Sequence, residues 1–147
     1  MFKKILVPTD GSDLSRQTAQ RAVIFAKEAD AQLVLFSATP EYSMDYYGEG
    51  GLISQDSPDQ HAARMDERAR RYLGEIEKMC AEAGVVCTAI AVTSDVPYAV
   101  IIEAAEKTGC DLIFMASHGR RGLSAMLLGS ETQKVLTHSK IPVLVYR

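Results

Sequence analysis

Leu112 to Ser130 read LIFMASHGRRGLSAMLLGS, and this stretch decides the fold. The apolar run Leu112–Ala116 predicts a short strand that is buried on both faces, as in a parallel sheet covered by helices. Ser117-His118-Gly119 follows as a polar turn, and Gly129-Ser130 opens a helical pattern. Glycine lets a backbone approach a ligand closely, and the first N–H groups of a helix attract anions. The stretch therefore predicts a strand, a loop and a helix that together cradle a phosphate.

Ser130 to Gln133 also have a purely structural interpretation, namely a helix cap. The sequence Ser-Glu-Thr-Gln fits a capping box, in which the serine hydroxyl accepts from the N–H of Gln133 and the Gln133 side chain reaches back. Spacing alone favours this plain cap over an anion site, so both interpretations stand at this point.

The composition is that of an ordinary soluble globular protein. The chain has 147 residues, 47% hydrophobic and 24% charged, which suits one domain with its own core. Lys plus Arg number 16 against 19 for Asp plus Glu, so no basic surplus favours nucleic acid or an anionic membrane. No apolar run is long enough for a membrane span or a signal peptide, which predicts a cytoplasmic protein.

The cysteines and histidines do not suggest a metal site. Three cysteines, Cys80, Cys87 and Cys110, occur without a Cys-x-x-Cys pair and are interpreted as core or near-core residues. None of the three histidines has a second ligand at helical or strand spacing, so no metal site is expected.

Strand-like and helix-like patterns alternate along the whole chain, which predicts a doubly wound α/β fold with a five-stranded parallel sheet. A sheet of this kind binds ligands at the carboxyl ends of its strands, where the strand order reverses. The predicted strands are Lys4–Pro8, Gln32–Ala38, Val85–Thr93, Leu112–Ala116 and Ile141–Tyr146, and the predicted helices begin near Ser12, His61, Tyr98 and Ser130.

Thr39 to Gln60 differ in kind from the rest of the chain. This segment holds several glycines, two prolines and three tyrosines without periodicity, so it is predicted to be a loop, mobile between about Glu41 and Gln60. A loop of that length is uncommon in a compact domain. It is either a lid, a partner-binding segment or disordered, or simply a variable piece of surface.

Two motifs resemble the universal stress protein family. Ile5 to Ser12 read ILVPTDGS, and Ser117-His118-Gly119 is followed after nine residues by Gly129-Ser130 and a closing IPVLV strand. The UspA-like, nucleotide-binding members carry the pattern G-x-x-G-x9-G-[ST], whose first glycine is replaced here by Ala116. The resemblance covers nearly the whole chain, is weak in the Tyr-rich segment, and implies the strand order 3-2-1-4-5.

The resemblance also implies an adenine nucleotide, ATP or AMP or ADP, with or without Mg²⁺. Adenosine would lie near Pro8, Thr9, Asp10 and Ala38. The phosphates would lie along Gly119, Gly129, Ser130 and Glu131-Thr132, where the Ser130 and Thr132 hydroxyls could hold phosphate oxygens. Asp10 has an alternative role as a turn or helix-capping acid, and His118 and Arg120 either contact phosphate or face solvent. The full set of implied binding residues is Pro8, Thr9, Asp10, Ala38, Met115, Ala116, His118, Gly119, Arg120, Gly129, Ser130, Glu131 and Thr132.

Catalysis has little support in the sequence. No carboxylate pair, and no nucleophile with its base, stands at a recognisable spacing. We therefore expect a nucleotide-binding stress-response module, with a nucleotide-independent homodimeric interaction protein or a slow ATPase as alternatives. Ile141 to Tyr146 would form an apolar edge strand protected only by Pro142, which predicts a homodimer through that strand.

Overall fold

A computed structural model describes residues 1–41, 57–119 and 128–147, and its fold is the predicted one. Strands and helices alternate from the first strand to the last. In chain order the elements are β1 (Lys4–Pro8), α1 (Asp13–Ala29), β2 (Gln32–Thr39), α2 (Pro58–Ala83), β3 (Cys87–Thr93), α3 (Pro97–Thr108), β4 (Leu112–Ala116), α4 (Ser130–His138) and β5 (Val143–Tyr146).

The sheet has the order β3-β2-β1-β4-β5, and every neighbouring pair is parallel. β1 lies in the middle, with Ile5 paired to Leu33 of β2 on one side and to Leu112 of β4 on the other. The chain order reverses between β1 and β4. Because ligands bind at such a reversal, the residues that follow β1 and β4 define the functional edge of the sheet.

Helices cover both faces of the sheet. Ile5 and Val7 of β1 join one apolar cluster with residues of α1 and α2, whereas Leu6 joins a second cluster with residues of α3 and α4. β1, β2 and β4 are therefore buried on both sides, which explains why they read as continuous apolar runs. The interpretation of these runs as core strands is confirmed.

Several predicted boundaries were wrong by a few residues. α2 begins at Pro58 rather than His61, because Ser57 caps it in a capping box with Gln60. The end of the predicted Tyr-rich loop is thus helical, its first residue Thr39 belongs to β2, and residues 42–56 lie outside the described part. β3 and β5 begin at Cys87 and Val143, two residues later than predicted.

The three cysteines are free thiols. Cys80 and Cys110 are buried and Cys87 is half-buried. Burial raises the pKa of Cys80 to about 12, and its hydrogen bond with Cys87 acts in the same direction. The Cys80 thiol therefore stays protonated at neutral pH, as the interpretation of a core residue requires.

No helix in the described part is long and apolar enough to cross a bilayer.

Asp111 ties the start of β4 to the start of β1. Its carboxylate accepts hydrogen bonds from the N–H groups of Lys3 and Lys4, at 2.9 and 3.0 Å, and its own N–H donates to the Lys4 carbonyl. Partial desolvation raises the pKa of the carboxyl, but these backbone donors and the N-terminal ammonium outweigh it, so the pKa of Asp111 is lowered overall.

We expect Asp111→Asn to lower the free energy of unfolding by roughly 1 kcal/mol at pH 7, because an amide cannot accept from both N–H groups. The folded-state pKa lies below the unfolded one, so the stabilisation is complete above the unfolded value and is lost as pH falls through the folded value. Urea titrations should show a constant gap between wild type and variant near neutral pH, which narrows only once the pH falls below the ordinary aspartate pKa of about 3.9. If the difference in unfolding free energy between wild type and Asp111→Asn is the same at neutral and at acidic pH, this account is wrong. Glu106→Gln, at an exposed position, is the control.

Candidate functional site

The end of β1 forms a fixed turn around Asp10. Thr9 is buried, and its N–H donates to the carbonyl of Phe36 in β2. The N–H of Ser12 donates to Asp10 Oδ1 at 2.9 Å, and Gly11 has φ = 75°, a left-handed conformation that favours glycine. Ser12 then caps α1 by accepting from the N–H of Ser15. Asp10 is therefore held at the functional edge, with one carboxylate oxygen committed to this turn.

The other carboxylate oxygen of Asp10 lies against Gly119. A Cβ atom placed on Gly119 would be 2.5 Å from Asp10 Oδ2, so a side chain at this position would have to displace the carboxylate. Two segments that are more than a hundred residues apart in the sequence meet at this point, as the strand order requires. Asp10 and Gly119, both singled out from the sequence, thus lie together at the functional edge of the sheet, and the space between the ends of β1 and β4 is called the crevice below.

Gly129 closes the loop that leaves β4. Its N–H donates to the carbonyl of Ser117 at 2.7 Å. A Cβ on Gly129 would lie 3.0 Å from His118 Cα, 3.2 Å from His118 Cβ and 3.3 Å from the Ser117 carbonyl oxygen. The backbone of Gly129 is extended, with φ = −64° and ψ = 153°, a conformation open to any residue. Limited space, rather than backbone conformation, therefore favours glycine at position 129.

Gly129, and not Ser130, occupies the N-cap position of α4. The N–H of Gln133 donates to the Gly129 carbonyl, and the Gln133 side chain donates to the carbonyl of Leu128. The capping box at Ser130, the structural alternative to an anion site, is therefore wrong. Ser130 is the first helical residue, and no side-chain hydrogen bond from the described residues caps this end of the helix. The first N–H groups of α4 consequently carry the positive end of the helix dipole without a side-chain acceptor at the cap.

Thr132 links α4 to the end of β4. Its hydroxyl is buried and donates to the Ala116 carbonyl at 3.0 Å, so the structure uses it as a tie between the two elements, whereas the sequence suggested a phosphate contact. Ala116 itself lies in β4, paired with Tyr146. Among the described residues other than glycine, only Asp30 has a positive φ. Alanine at position 116 is therefore free of backbone strain.

Glu131 contacts α3, an arrangement that the sequence did not reveal. Its Oε2 accepts from the N–H of Tyr98 at 2.9 Å, and its Oε1 pairs with Lys134 at 3.1 Å. The signal was present in the sequence: α3 starts at Val96-Pro97, and valine cannot cap a helix through its side chain. A helix start without its own capping residue leaves its first N–H groups to water, to a ligand or to a side chain from elsewhere in the chain.

The remaining expected residues lie around the same edge. Pro8 pairs with Phe36, Ala38 pairs with Val92, and Met115 is buried in β4. His118 Nδ1 is 3.1 Å from the Ser117 hydroxyl. Arg120 lies outside the described residues.

Two further features flank the crevice on the β2 side. The hydroxyl of Tyr72 is hydrogen-bonded to Ser37, and burial raises the pKa of Tyr72, with the nearby charge of Asp10 adding to the effect. Next to it, α2 and the ends of β2 and β3 enclose a cleft lined by Thr39, Pro40, His61, Ala62, Met65, Asp66, Ala69, Ala91, Val92 and Thr93. Within the described part, no cluster of His, Cys, Asp and Glu side chains suits a metal ion.

Comparison with known proteins identifies the family. The model of the universal stress protein family matches residues 1–147. This chain belongs to that family. It is 35% identical over 147 residues to universal stress protein MJ0531 of Methanocaldococcus jannaschii, a match that covers all of this chain and 83% of that protein.

Solved structures agree with this assignment. MJ0577 from the same organism is 30% identical and superposes with a TM-score of 0.82 over 99% of this chain and 95% of that one. A universal stress protein solved in complex with cAMP has a TM-score of 0.71 at 24% identity, covering 99% of this chain and 97% of that one. One from Archaeoglobus fulgidus in complex with dAMP has a TM-score of 0.69 at 16% identity, covering 99% and 98%. These last two likenesses establish the shared fold.

We expect Gly129→Ala to destabilise this universal stress protein by about 1 to 3 kcal/mol, because the new methyl group presses on the backbone of Ser117 and His118. Gly74→Ala is the matched control. Gly74 lies within α2 with nothing within 4 Å of an added Cβ, so alanine there should stabilise by up to about 1 kcal/mol. Urea denaturation measures both changes. Equal stability of Gly129→Ala and wild type would show that the close contact is not needed.

Proposed function

We propose that this universal stress protein binds an adenine nucleotide, ATP or AMP or ADP, with or without Mg²⁺, in the crevice between the ends of β1 and β4. The observation that carries the proposal is the contact of Asp10 with Gly119, next in the chain to His118, whose backbone packs on Gly129 at the start of α4. No side-chain hydrogen bond from the described residues caps this helix start. The site then combines a helix N-terminus, which attracts anions, with two glycines that have close neighbours and with an acidic acceptor. Such a set suits phosphates together with a hydroxylated sugar.

Each side of the crevice has its own role in this proposal. The phosphates lie at the N–H groups of Ser130 and Glu131, with Gly119 and Gly129 allowing close approach. Adenosine lies toward Pro8, Thr9 and Ala38, where Asp10 accepts from ribose hydroxyls. Thr132 contributes by fixing α4 to β4. The backbone of His118 packs against Gly129, so His118 lies next to the proposed phosphate position.

Two structural relatives support the nature of the ligand. One was solved with cAMP and the other with dAMP, so the shared fold accommodates adenine nucleotides in at least two of its members. Their identities of 24% and 16% are too low to transfer a particular ligand. The number of phosphates and the presence of Mg²⁺ therefore depend on this chain's own residues.

We also propose that the protein acts as a stress-response regulatory module in the cytoplasm, with slow hydrolysis of ATP or none. Hydrolysis requires a positioned base and a group that stabilises the developing charge. In the described residues of the crevice, Asp10 is already engaged in the β1 turn and Glu131 in the cap of α3. Binding without rapid turnover suits a protein that reports on nucleotide rather than consumes it.

Ser130→Pro tests the phosphate site without breaking the helix. Proline suits the first helical position, and the extended Gly129 before it is compatible with proline. The substitution removes one N–H donor and the hydroxyl, whereas Ser130→Ala removes the hydroxyl alone. We expect Ser130→Pro to weaken ATP and AMP binding by roughly 10- to 100-fold, the value of a hydrogen bond to a charged group. Isothermal titration calorimetry measures the affinities.

Two outcomes would contradict the site. The first is that millimolar ATP or AMP does not bind to the wild-type protein. The alternative function, an interaction protein that works without nucleotide, would then replace the proposed one. The other is unchanged affinity in Ser130→Pro. Ala116→Gly is the control on the other side of the loop. Because Ala116 carries no backbone strain, we expect its affinity to stay within a few-fold of wild type.

We further propose that the protein forms a homodimer through β5. β5 is an edge strand whose four residues are all half-buried. The carbonyls of Pro142 and Tyr146 accept from β4, so alternation along a parallel strand turns the N–H groups of Val143 and Val145 toward the open edge. Antiparallel pairing of two such edges satisfies these groups around a two-fold axis.

Val145→Pro tests the dimer. Proline removes an outward N–H that makes no bond to β4, so the monomer should keep its fold while the dimer loses a central hydrogen bond. We expect at least a 10-fold weaker dimer by sedimentation equilibrium. Val145→Thr keeps the donor and the shape and serves as control. A wild-type monomer at micromolar concentration, or a Val145→Pro dimer as tight as wild type, would refute the interface.

A further inference from the structure

The start of α3 is capped by a residue of α4. Val96 at the N-cap makes no side-chain hydrogen bond to α3, and Pro97 at the first helical position lacks an N–H group. The next N–H, that of Tyr98, donates to Glu131 Oε2 at 2.9 Å. Glu131 is the second helical residue of α4, so a single carboxylate stands at the start of two helices.

A second contact fixes the other oxygen of this carboxylate. Lys134 Nζ lies 3.1 Å from Glu131 Oε1 and 5.6 Å from the centre of the Tyr98 ring. The same ring packs on His138 at a centroid distance of 5.1 Å, and His138 Nδ1 lies 2.8 Å from the Lys134 carbonyl oxygen. The Glu131 charge is thus held at the junction of α3 and α4, within one turn of the N–H groups that start α4.

We propose that Glu131 is a specificity-determining residue that limits the negative charge of the ligand accepted at the start of α4. This inference rests on the proposed nucleotide site. A carboxylate in the first turn of a helix weakens the attraction of the helix N-terminus for anions. The repulsion between this carboxylate and a bound ligand grows with the negative charge of the ligand. Each phosphate added to a nucleotide therefore adds less binding free energy than it would without Glu131. Ligands of low negative charge are favoured as a result.

Lys134 balances this effect. Its ammonium group pairs with Glu131 and reduces the net charge at the junction, so the two residues set the preference together. Removal of Glu131 leaves a cation near the phosphates, and removal of Lys134 leaves an anion there. The two changes consequently shift the preference between ATP and AMP in opposite directions. A purely structural role of Glu131 predicts no such opposition.

The test is the ratio of ATP to AMP affinity, measured by calorimetry without Mg²⁺ at low ionic strength. Glu131→Gln keeps an oxygen acceptor for Tyr98 N–H and removes only the charge. For charges on the order of 8 Å apart near a protein surface, we expect this variant to raise the ratio by about 3- to 10-fold. Lys134→Met should lower the ratio by a similar factor. The double variant should lie near wild type.

Controls separate this inference from the site on which it rests. Glu103→Gln removes a carboxylate that pairs with Lys107 on α3, and it should leave the ratio unchanged. Raising the salt concentration to about 0.5 M should reduce the effect of Glu131→Gln, since screening weakens it. If wild type binds nucleotide and Glu131→Gln leaves the ratio unchanged, the charge limit is wrong and the site stands. If wild type binds neither ATP nor AMP, both proposals fall.

Discussion

The hydrogen bond from Gly129 N–H to the Ser117 carbonyl is the contact on which the rest of the site depends. At 2.7 Å, with no Cβ between the two segments, it brings the chain back to the point where it left β4. The bond from the Thr132 hydroxyl to the Ala116 carbonyl adds a second tie one turn into α4. Together they direct the positive end of the α4 dipole at the sheet edge where Asp10 lies.

The fold was predictable because its periodicities reflect burial on two faces. β1, β2 and β4 are covered on both sides and therefore appear as unbroken apolar runs. The strand ends were less predictable, since an apolar residue need not belong to the ladder. Val85 is buried, but its N–H donates to the Cys80 carbonyl and completes the end of α2 after Gly84. The hydrophobicity of a residue predicts that its side chain is buried, but it does not predict which group its backbone N–H bonds to.

The capping motif shows how a distant contact overrides a local pattern. Ser57 to Gln60 and Ser130 to Gln133 share the spacing Ser-x-x-Gln, yet only the first forms a capping box. At the second, the contact with Ser117 holds Gly129 in an extended conformation and gives it the cap position, which moves Ser130 into the helix. A cap is worth about 1 kcal/mol, an amount that a backbone hydrogen bond together with close packing can outweigh.

The three glycine positions of the family motif are not equivalent, and contacts explain the difference. An added Cβ meets the Asp10 carboxylate at Gly119 and the His118 backbone at Gly129. At position 116 the backbone has ordinary strand geometry and a methyl group already fits among buried residues of β4. Sequence identifies such positions as a pattern, but only the neighbours of each Cβ decide which of them must be glycine. The replacement at position 116 is therefore compatible with an intact crevice, because the close approaches that form it occur at the other two positions.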